Sequence, residues 1–449
     1  MTDLLTSIQA ALGLPHTRIS FTSSGALPSA FAVTDLACAS IAAAGQAISE
    51  LLNQQTGRLP HLEVDRRLAS FWFSTSIRPV GWSVPPLWDP VAGDYATKDG
   101  WIRLHTNAPH HRVAAEHVLG VCADRAAMAS KVALWAKTDL EQAVVNAGGC
   151  AAEMRSWAQW QAHPQGQAVN AEPLIQFDAN GSQNANPWQG SVAQPLAGIK
   201  VLDLTRVLAG PVASRFLAGL GADVLRIDPP TWNEPGVVPE VTLGKRCARL
   251  DLQVKADREL FEGLLKDADI LLHGYRADAL ERLGYGLAER QLLAPGLIDV
   301  CLNAYGWRGP WQNRRGFDSL VQMSSGIAEA GMHWQHADKP TPLPLQALDH
   351  ATGYWMAASA IKLLVQRLSD GRGGSARLSL ARTAKLLIEA GAGTDEPLRA
   401  EEESDQGLLV EQTPWGPAHR LQVPLRITGT PLQWAIPASE LGSHRAQWW

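Results

Sequence analysis

The sequence has few cysteines, no long apolar run and no secretory leader pattern. Its five cysteines are an odd number, widely spaced and without a CxxC pair, which excludes a disulfide framework or a zinc ribbon and indicates a reducing compartment. No stretch reaches the roughly 18 uncharged apolar residues of a membrane span. The first 20 residues lack the basic and apolar segments of a signal peptide. We therefore expect a cytoplasmic protein without a membrane partner.

A concentration of charge of one sign is also missing. Lys and Arg number 39 against 44 Asp and Glu, and the net charge of −5 is spread along the chain. Without a basic block there is no electrostatic basis for binding nucleic acid. Hydrophobic residues make up 46% and charged residues 18%, which is typical of a globular chain and not of a disordered one.

Short apolar runs alternate with helical stretches in the middle of the chain. The runs Ile199–Leu204, Ala222–Asp228, Asp269–His273 and Leu297–Leu302 have the character of strands buried on both faces. Such alternation is typical of parallel βαβ units. We predict an α/β fold with a doubly wound, Rossmann-like parallel sheet and a smaller α+β domain.

Composition and repetition suggest five segments. One segment rich in Asn, Gly, Ser and Gln, and an acidic segment with the run EEESD, interrupt the packed units. We expect the EEESD run to be solvated and mobile. The predicted units are residues 1–75 as a degenerate half-repeat, 76–176 as the small domain, 177–196 as a linker, 197–390 as the large domain with a nucleotide-type site, and 391–449 as an acidic linker and a tail that packs on the large domain.

The half-repeat rests on one ungapped spacing. Asp35 and Asp349 are 314 positions apart, and so are Gly57 and Gly371. Each Asp precedes a helix rich in small residues, and each Gly begins a Gly-Arg turn before a strand. A partial duplication explains this spacing, but the strand series precedes only the second copy. We therefore expect Asp35 to be a structural cap without catalytic function.

Seven motifs follow one another along the chain. They are PLAGIKVLDLTRVLAGPVASRFLAGLGADVLRID at Pro195–Asp228, GKRCARLDL from 244, DILLHGYRADALERLGYG from 269, NAYGWRGPW from 303, RRGFDSLVQ from 314, LDHATGY from 348 and PLRITGTP from 424. In this order they resemble the class III CoA-transferases, the family of formyl-CoA and carnitine CoA-transferases and of α-methylacyl-CoA racemase. Pro195–Asp228 resembles the family's opening, and the likeness continues closely to Ile388. The N-terminal 176 residues resemble a later portion of the family.

The resemblance implies transfer of coenzyme A from an acyl-CoA to a carboxylic acid, with Asp349 as nucleophile. It implies no permanently bound cofactor, since coenzyme A and acyl-CoA are substrates, and it implies a homodimer. Carboxylate attack on a thioester followed by return of the thiolate needs no metal or redox group. From the residue alone, a structural helix cap is the preferred interpretation of Asp349, and the ordered set of motifs reverses that preference.

The resemblance also implies coenzyme A contacts, which carry over to positions near strand ends. Strand ends are where α/β sheets bind ligands, although a lone Arg or Lys is usually a solvated surface charge. The implied contacts are Arg206, Leu208 and Ala209 in the turn after the first strand, Lys245 and Arg246 as cations for phosphates, Gly274, Tyr275 and Arg282 at the adenine and phosphate end, and Arg315 near the nucleotide.

Two departures from the family bear on function. Phe317 stands where the racemase branch has a histidine, which makes a racemase or epimerase the second interpretation. Gly81–Tyr95 (GWSVPPLWDPVAGDY) lacks the glycine run that covers the intermediate in formyl-CoA transferase, which puts formate and oxalate in doubt as substrates. The altered lid and unequal repeat leave a non-catalytic acyl-CoA-binding protein as a third interpretation.

The histidine groups do not predict a metal site. HWQH from 333 and the group His105, His110 and His111 have histidine spacings that invite a metal interpretation. No carboxylate or cysteine lies at a suitable spacing, and the surroundings are Pro- or Trp-rich loops. We therefore expect no metal ion.

Overall fold

The N-terminal part of the chain is packed against its C-terminal half. The structure is a computed structural model that describes residues 2–15, 19–182, 187–275 and 278–449. In the N-terminal part, β1 and β2 pair in parallel, and β2 pairs with a strand near the C-terminus. Its elements are α1 (Thr2–Leu12), β1 (Ile19–Thr22), α2 (Val33–Thr56), β2 (Leu62–Asp65), α3 (Arg66–Trp72) and β3 (Ile77–Pro79).

The next unit is a small α+β structure with its own core. Three short antiparallel strands in the order β4-β5-β6 are covered by helices, and side chains such as Tyr95, Ile102 and Met128 fill the space between them. This unit lies within the predicted residues 76–176. Its elements are β4 (Gly93–Thr97), β5 (Gly100–Leu104), α4 (Pro109–Leu119), α5 (Arg125–Val132), α6 (Lys137–Asn146), β6 (Ala151–Glu153), α7 (Trp157–Ala162) and α8 (Pro164–Asn170).

A seven-stranded sheet with helices follows. Its elements are β7 (Gln176–Ser182), β8 (Lys200–Asp203), α9 (Ala209–Ala218), β9 (Asp223–Asp228), α10 (Val238–Val241), β10 (Lys245–Arg249), α11 (Lys255–Lys266), β11 (Ile270–His273), α12 (Ala279–Arg282), α13 (Leu287–Leu293), β12 (Ile298–Asn303), α14 (Asp318–Ser324), α15 (Ile327–Trp334), α16 (Ala347–Asp370), β13 (Arg372–Ser379) and α17 (Leu380–Ala390).

The strand order confirms the predicted fold class. It is β10-β9-β8-β11-β12-β13-β7, in which only β7 is antiparallel to its neighbour. Leaving β7 aside, this is the doubly wound order of a Rossmann sheet, with a reversal between β8 and β11. Most residues of these strands are buried because helices cover both faces of the sheet. A crevice is expected at the reversal, at the carboxyl ends of the strands.

The C-terminal segment returns over the other units. The elements are a 3₁₀ turn (Glu403–Asp405), β14 (Gln406–Thr413), β15 (Gly416–Leu421) and β16 (Leu425–Ile427). β15 pairs with β3. The tail contacts the large unit, since Trp434 Nε1 donates to the Arg215 carbonyl at 2.8 Å and Trp448 Nε1 donates to the Leu264 carbonyl at 3.1 Å.

Two segments differ from their sequence predictions. Phe177–Ser182, the first residues of the predicted linker, belong to β7, because β13 offers an open edge for antiparallel pairing; residues 183–186 lie outside the described residues. The acidic run is anchored at Asp405, which is buried and accepts a hydrogen bond from Arg67 Nη2 at 2.5 Å. The expectation of a mobile run was therefore wrong at Asp405.

The two helices of the proposed repeat lie against each other. α2 and α16 both have 24 residues, and each ends at a glycine in the left-handed conformation, Gly57 and Gly371. Trp355 Nε1 on α16 donates to Ser40 Oγ on α2 at 3.0 Å. The duplication itself stays a prediction.

Candidate active site

A cleft of about 330 Å³ opens at the reversal in strand order. The turns that follow β8, β11 and β12 form much of its wall, and the first turn of α16 contributes to it. The reversal creates this space because the connections on its two sides run to opposite faces of the sheet. The candidate residues that line the cleft are Arg206, Leu208, Ala209, Gly274, Tyr275, Arg315 and Asp349.

Asp349 is nearly buried in the first turn of α16. Only 8% of its surface is exposed. It is not the helix cap, because the N-cap position belongs to Gln346, which makes no side-chain cap hydrogen bond. Its backbone N–H donates to Asp318 Oδ2 at 2.9 Å. Asp349 therefore belongs to the wall of the cleft and does not cap the helix.

Two carboxyl groups share this buried corner. Burial is the larger cause, and the neighbouring charge of Asp318 the smaller one, that raises the pKa of Asp349 well above its usual range. Burial raises the pKa of Asp318 to about 6, although Gln322 and two backbone N–H groups hydrogen-bond its carboxylate. Like charges near one another resist simultaneous ionisation, so the charge of Asp318 makes the Asp349 carboxyl harder to ionise.

The turn after β8 is strained where it meets the cleft. Val207 has a φ of 66°, a conformation that is costly for a β-branched residue. Its N–H donates to Glu234 Oε2 at 2.9 Å, and Glu234 is in turn paired with Arg226 at 2.6 Å. The buried ion pair thus holds the turn in place. Strained backbone maintained by its surroundings is typical of ligand sites.

Arg206 provides a positive charge in the cleft. Its guanidinium carbon lies 4.8 Å from the ring centre of Trp232 and 5.0 Å from that of Tyr275, and Nη2 donates to Tyr275 Oη at 2.7 Å. Arg315 is a second cation in the wall, and its Nη1 donates to the Gly148 carbonyl of the small unit at 2.7 Å. The cleft is therefore suited to anionic groups.

Three predicted contacts do not line the cleft. Lys245 is fully buried and its Nζ lies 3.2 Å from Asp203 Oδ2. Arg246 is 3% exposed, pairs with Asp223 at 2.6 Å and stacks on the ring of Trp449.

Arg282 is exposed on α12 and pairs with Asp278. We therefore do not retain Lys245, Arg246 and Arg282 as phosphate ligands. Their charges are neutralised or directed elsewhere by tertiary partners that the sequence motifs do not show.

The structure adds residues that the sequence did not assign to the site. Asp318 directly follows Phe317 in the motif RRGFDSLVQ, and His110 and His111 were considered only as metal ligands. His110 and His111 begin α4 of the small unit and reach the same cleft. His111 is 3% exposed and neither ring nitrogen has a partner in the described part of the chain. Burial, with the positive charges of His110 and Arg315, lowers its pKa to about 3, so the ring is neutral.

A second cavity of about 210 Å³ adjoins the cleft. Val207, Trp232 and Phe317 line both spaces. His105 lies in its wall, stacked on Phe317 with ring centres 3.8 Å apart and planes 3° from parallel. Phe317 therefore forms a packed partition where the two spaces meet.

One buried trio has the residue types of a metal site. Ligand atoms of His273, Asp299 and Cys301 lie within 4.8 Å of one another on adjacent strands. Asp299 is already neutralised by Arg290, at 2.6 Å, and hydrogen-bonded to His273 at 3.1 Å. These contacts give the trio a structural role, and they offer no reason to invoke an ion.

All five cysteines lie within the described residues; they are buried and form no disulfide. Among the helices of the described ranges, none combines the length and the apolar character required to cross a membrane.

The fold and site define a class of protein: a doubly wound α/β protein with a cationic cleft at the switch point and a buried carboxylate beside it. The sequence matches the family model "CoA-transferase family III" over residues 196–421, which is half of the chain. The chain belongs to CoA-transferase family III.

Curated relatives match less than their own full length. An acetyl-coenzyme A transferase of Hypoxylon pulicicidum is 35% identical, over 45% of this chain and 36% of the relative. A probable fatty acyl-CoA transferase of Mycobacterium tuberculosis is 33% identical, over 40% and 48%. The human succinyl-CoA:glutarate CoA-transferase is 30% identical, over 40% and 44%. This chain thus spans about half or less of the length of these relatives.

Solved structures show a partial likeness. A hypothetical protein from Mycobacterium tuberculosis is 28% identical, with a TM-score of 0.38, over 46% of this chain and 57% of that one. A CaiB/BaiF family protein from Brucella suis is 22% identical, with a TM-score of 0.39, over 50% and 65%.

Proposed function

We propose that this protein moves coenzyme A between an acyl-CoA and a carboxylic acid, through a thioester formed on Asp349. The observation that carries the proposal is the position of the Asp349 carboxylate in the wall of the cationic cleft. Membership of CoA-transferase family III and the names of the curated relatives support the same chemistry.

The reaction balances without a cofactor. An Asp349 oxygen attacks the thioester carbonyl, the C–S bond breaks, and a mixed anhydride and a CoA thiolate result. The thiolate then attacks the Asp349 side-chain carbon, which releases the donor acid as a carboxylate and leaves an aspartyl-CoA thioester. The acceptor carboxylate repeats these steps in reverse, so neither step consumes a proton or an electron.

The cleft is suited to these steps. Burial strips water from the Asp349 carboxylate, and a poorly solvated anion is a stronger nucleophile than a hydrated one. The first N–H groups of α9 have no acceptor within that helix, and Leu208, Ala209 and Gly210 line the cleft, so this turn can stabilise an oxyanion. Arg206 and Arg315 supply charge for the nucleotide phosphates.

Trapping the covalent intermediate tests the proposal. Incubation with an acyl-CoA and borohydride should modify Asp349, as read by peptide mass spectrometry, and Asp349→Ala should abolish both modification and transfer. Asp35→Ala is a matched control at the same position of α2. It should transfer at the wild-type rate, because Asp35 is paired with Arg66 at 2.7 Å and does not line the cleft. Undiminished transfer by Asp349→Ala would refute the mechanism.

The packing of Phe317 argues against the racemase interpretation. Inversion at the α-carbon requires an acid and a base on opposite faces. The family resemblance places Phe317 at the position of one of them, and its phenyl ring, stacked on His105, cannot titrate. Deuterium wash-in at the α-carbon of an acyl-CoA, without a carboxylate acceptor, would favour the racemase interpretation over CoA transfer. A homodimer and a cytoplasmic location stay predictions.

A further inference from the structure

We propose that the second cavity receives the acyl group of the thioester, and that this group is an uncharged aliphatic chain and not a dicarboxylate. The inference rests on the proposed function, since it assigns the substrate class of the same site.

The second cavity is within reach of the reacting carboxylate. Phe317 lines both spaces and immediately precedes Asp318, whose carboxylate accepts the Asp349 N–H at 2.9 Å. The partition between the spaces is therefore adjacent to Asp349 in the structure. An acyl carbon placed at Asp349 can extend past Phe317 into the second cavity.

The two spaces carry different charge. The cleft has Arg206 and Arg315 in its wall, where the phosphates of coenzyme A find cations, whereas Arg314, which also lines it, is paired with Glu141 at 3.0 Å. Among the described residues that line the second cavity, none is Lys or Arg, and burial lowers the pKa of His105 to about 3, which keeps it neutral. The nucleotide therefore belongs in the cleft, which leaves the second cavity for the acyl end.

The second cavity disfavours a further carboxylate. Its wall already contains Asp89 and Glu234, which are paired with Arg112 at 3.1 Å and with Arg226 at 2.6 Å. These arginines neutralise carboxylates of the protein itself. A dicarboxylic acyl group would place a third carboxylate near them without a cation of its own, which costs desolvation and repulsion.

Most of the remaining wall is apolar, with Asn107 and Asn233 as its uncharged polar members. Pro86, Leu87 and Trp88 come from the segment before β4, and Trp232 and Val237 come from the loop after β9. The two segments touch where a Cβ on Gly236 would lie 2.7 Å from the Pro86 carbonyl oxygen. Such a space stabilises methylene groups by excluding water from them.

Calorimetry on Asp349→Ala, in which thioesters persist, tests the proposal with acetyl-CoA, butyryl-CoA and succinyl-CoA. Affinity should rise about fourfold for each added methylene from acetyl to butyryl. Succinyl-CoA, which has the same four-carbon length as butyryl-CoA, should bind about tenfold more weakly than butyryl-CoA because of its charge. Succinyl-CoA binding as tightly as butyryl-CoA, or no gain from acetyl to butyryl, would overturn the proposal.

A variant that fills the second cavity tests whether the acyl group binds there. In the Asp349→Ala background, Val237→Phe should remove the gain from acetyl to butyryl and leave acetyl-CoA affinity unchanged. Val254→Phe is the control, because Val254 is 48% exposed and lines neither space. Full butyryl affinity in a folded Val237→Phe would place the chain elsewhere and refute the assignment.

The binding result and the transfer result can be told apart. Butyryl selectivity without a trapped adduct on wild-type Asp349 would uphold the acyl cavity and contradict the proposed reaction. An adduct that forms equally well from butyryl-CoA and succinyl-CoA, together with equal affinities for the two, would uphold the proposed reaction and contradict the acyl cavity.

Discussion

At the scale of single residues, the paired carboxyls of Asp318 and Asp349 govern the pH dependence that we expect. The proposed mechanism requires ionised Asp349, and burial and the charge of Asp318 raise the pKa of that residue. The rate of transfer should therefore increase as the pH rises through that raised pKa. Asp318→Asn removes one of the two causes, so the acid limb of the kcat/KM profile should move to lower pH.

The profile of Asp318→Asn needs a check on folding, because Asp318 also accepts hydrogen bonds from Gln322 and from the Asp349 N–H. The melting temperature supplies that check. An unchanged acid limb in a folded Asp318→Asn would show that the two carboxyls do not interact.

Asp349 should reduce the free energy of unfolding in the absence of substrate. In the unfolded chain Asp349 ionises near its ordinary pKa of 3.8, whereas in the folded chain it ionises only at much higher pH. The folded state therefore loses stability as the pH rises between these two values. Asp349→Asn should be more stable than wild type at pH 8, by on the order of 1 kcal/mol, and the difference should close toward pH 4. Denaturant unfolding at the two pH values measures this, and equal stability at pH 8 would contradict it.

At the scale of elements, the contact between α9 and α16 depends on Gly353. A Cβ at position 353 would lie 2.3 Å from the carbonyl oxygen of Ala209 on α9. The glycine thus serves helix packing beside the cleft. Gly353→Ala should destabilise the fold by about 1–3 kcal/mol and lower transfer by displacing the turn that holds Leu208.

A second helical glycine provides the control. Gly263 on α11 has nothing within 4 Å of the position that a Cβ would occupy. Gly263→Ala should be neutral or stabilise by up to about 1 kcal/mol, because alanine loses less backbone entropy in a helix than glycine. Thermal unfolding of both variants checks the pair, and equal stability of the two would contradict the packing argument.

At the scale of the whole molecule, Glu240 connects three distant parts of the chain. It accepts hydrogen bonds from the backbone N–H groups of Ser76 and Ile77, at 2.9 and 3.1 Å, and from Arg420 at 3.0 Å, and it pairs with buried Arg215. Burial opposes its ionisation, but the two arginines dominate and lower its pKa to about 2.

Glu240→Gln should destabilise the protein by about 3–5 kcal/mol, since it leaves buried arginines without an anion. Because the pKa is depressed, the contribution of wild-type Glu240 is complete above its unfolded value of 4.5 and is lost as the pH falls toward 2. Denaturant unfolding at pH 7 measures the loss. Glu259→Gln is the control, because Glu259 is an exposed residue of α11 and its pair with Lys255 is solvated. This variant should change stability little. A similar small effect at position 240 would refute the role of Glu240.

The sequence by itself determined the sheet and the proposed nucleophile, Asp349. Strands such as β8 and β12 are recognisable because apolar residues that are buried on both faces form continuous runs, and the turn from Arg206 to Ala209 follows its strand directly. Asp349 was identifiable from its own neighbours, since the motif and the start of the helix are local.

The tertiary structure decided the partners. Lys245 and Arg246 have the residue type of phosphate ligands, but Asp203 and Asp223 neutralise them through contacts between strands and turns that no local pattern encodes. Likewise, His111 reaches the cleft only because the small unit docks on the sheet, and Asp318 meets Asp349 only because the start of α14 lies against the start of α16. A charge acquires its pKa and its role from groups brought near it in space, and the separation of those groups along the chain conceals them from sequence reasoning.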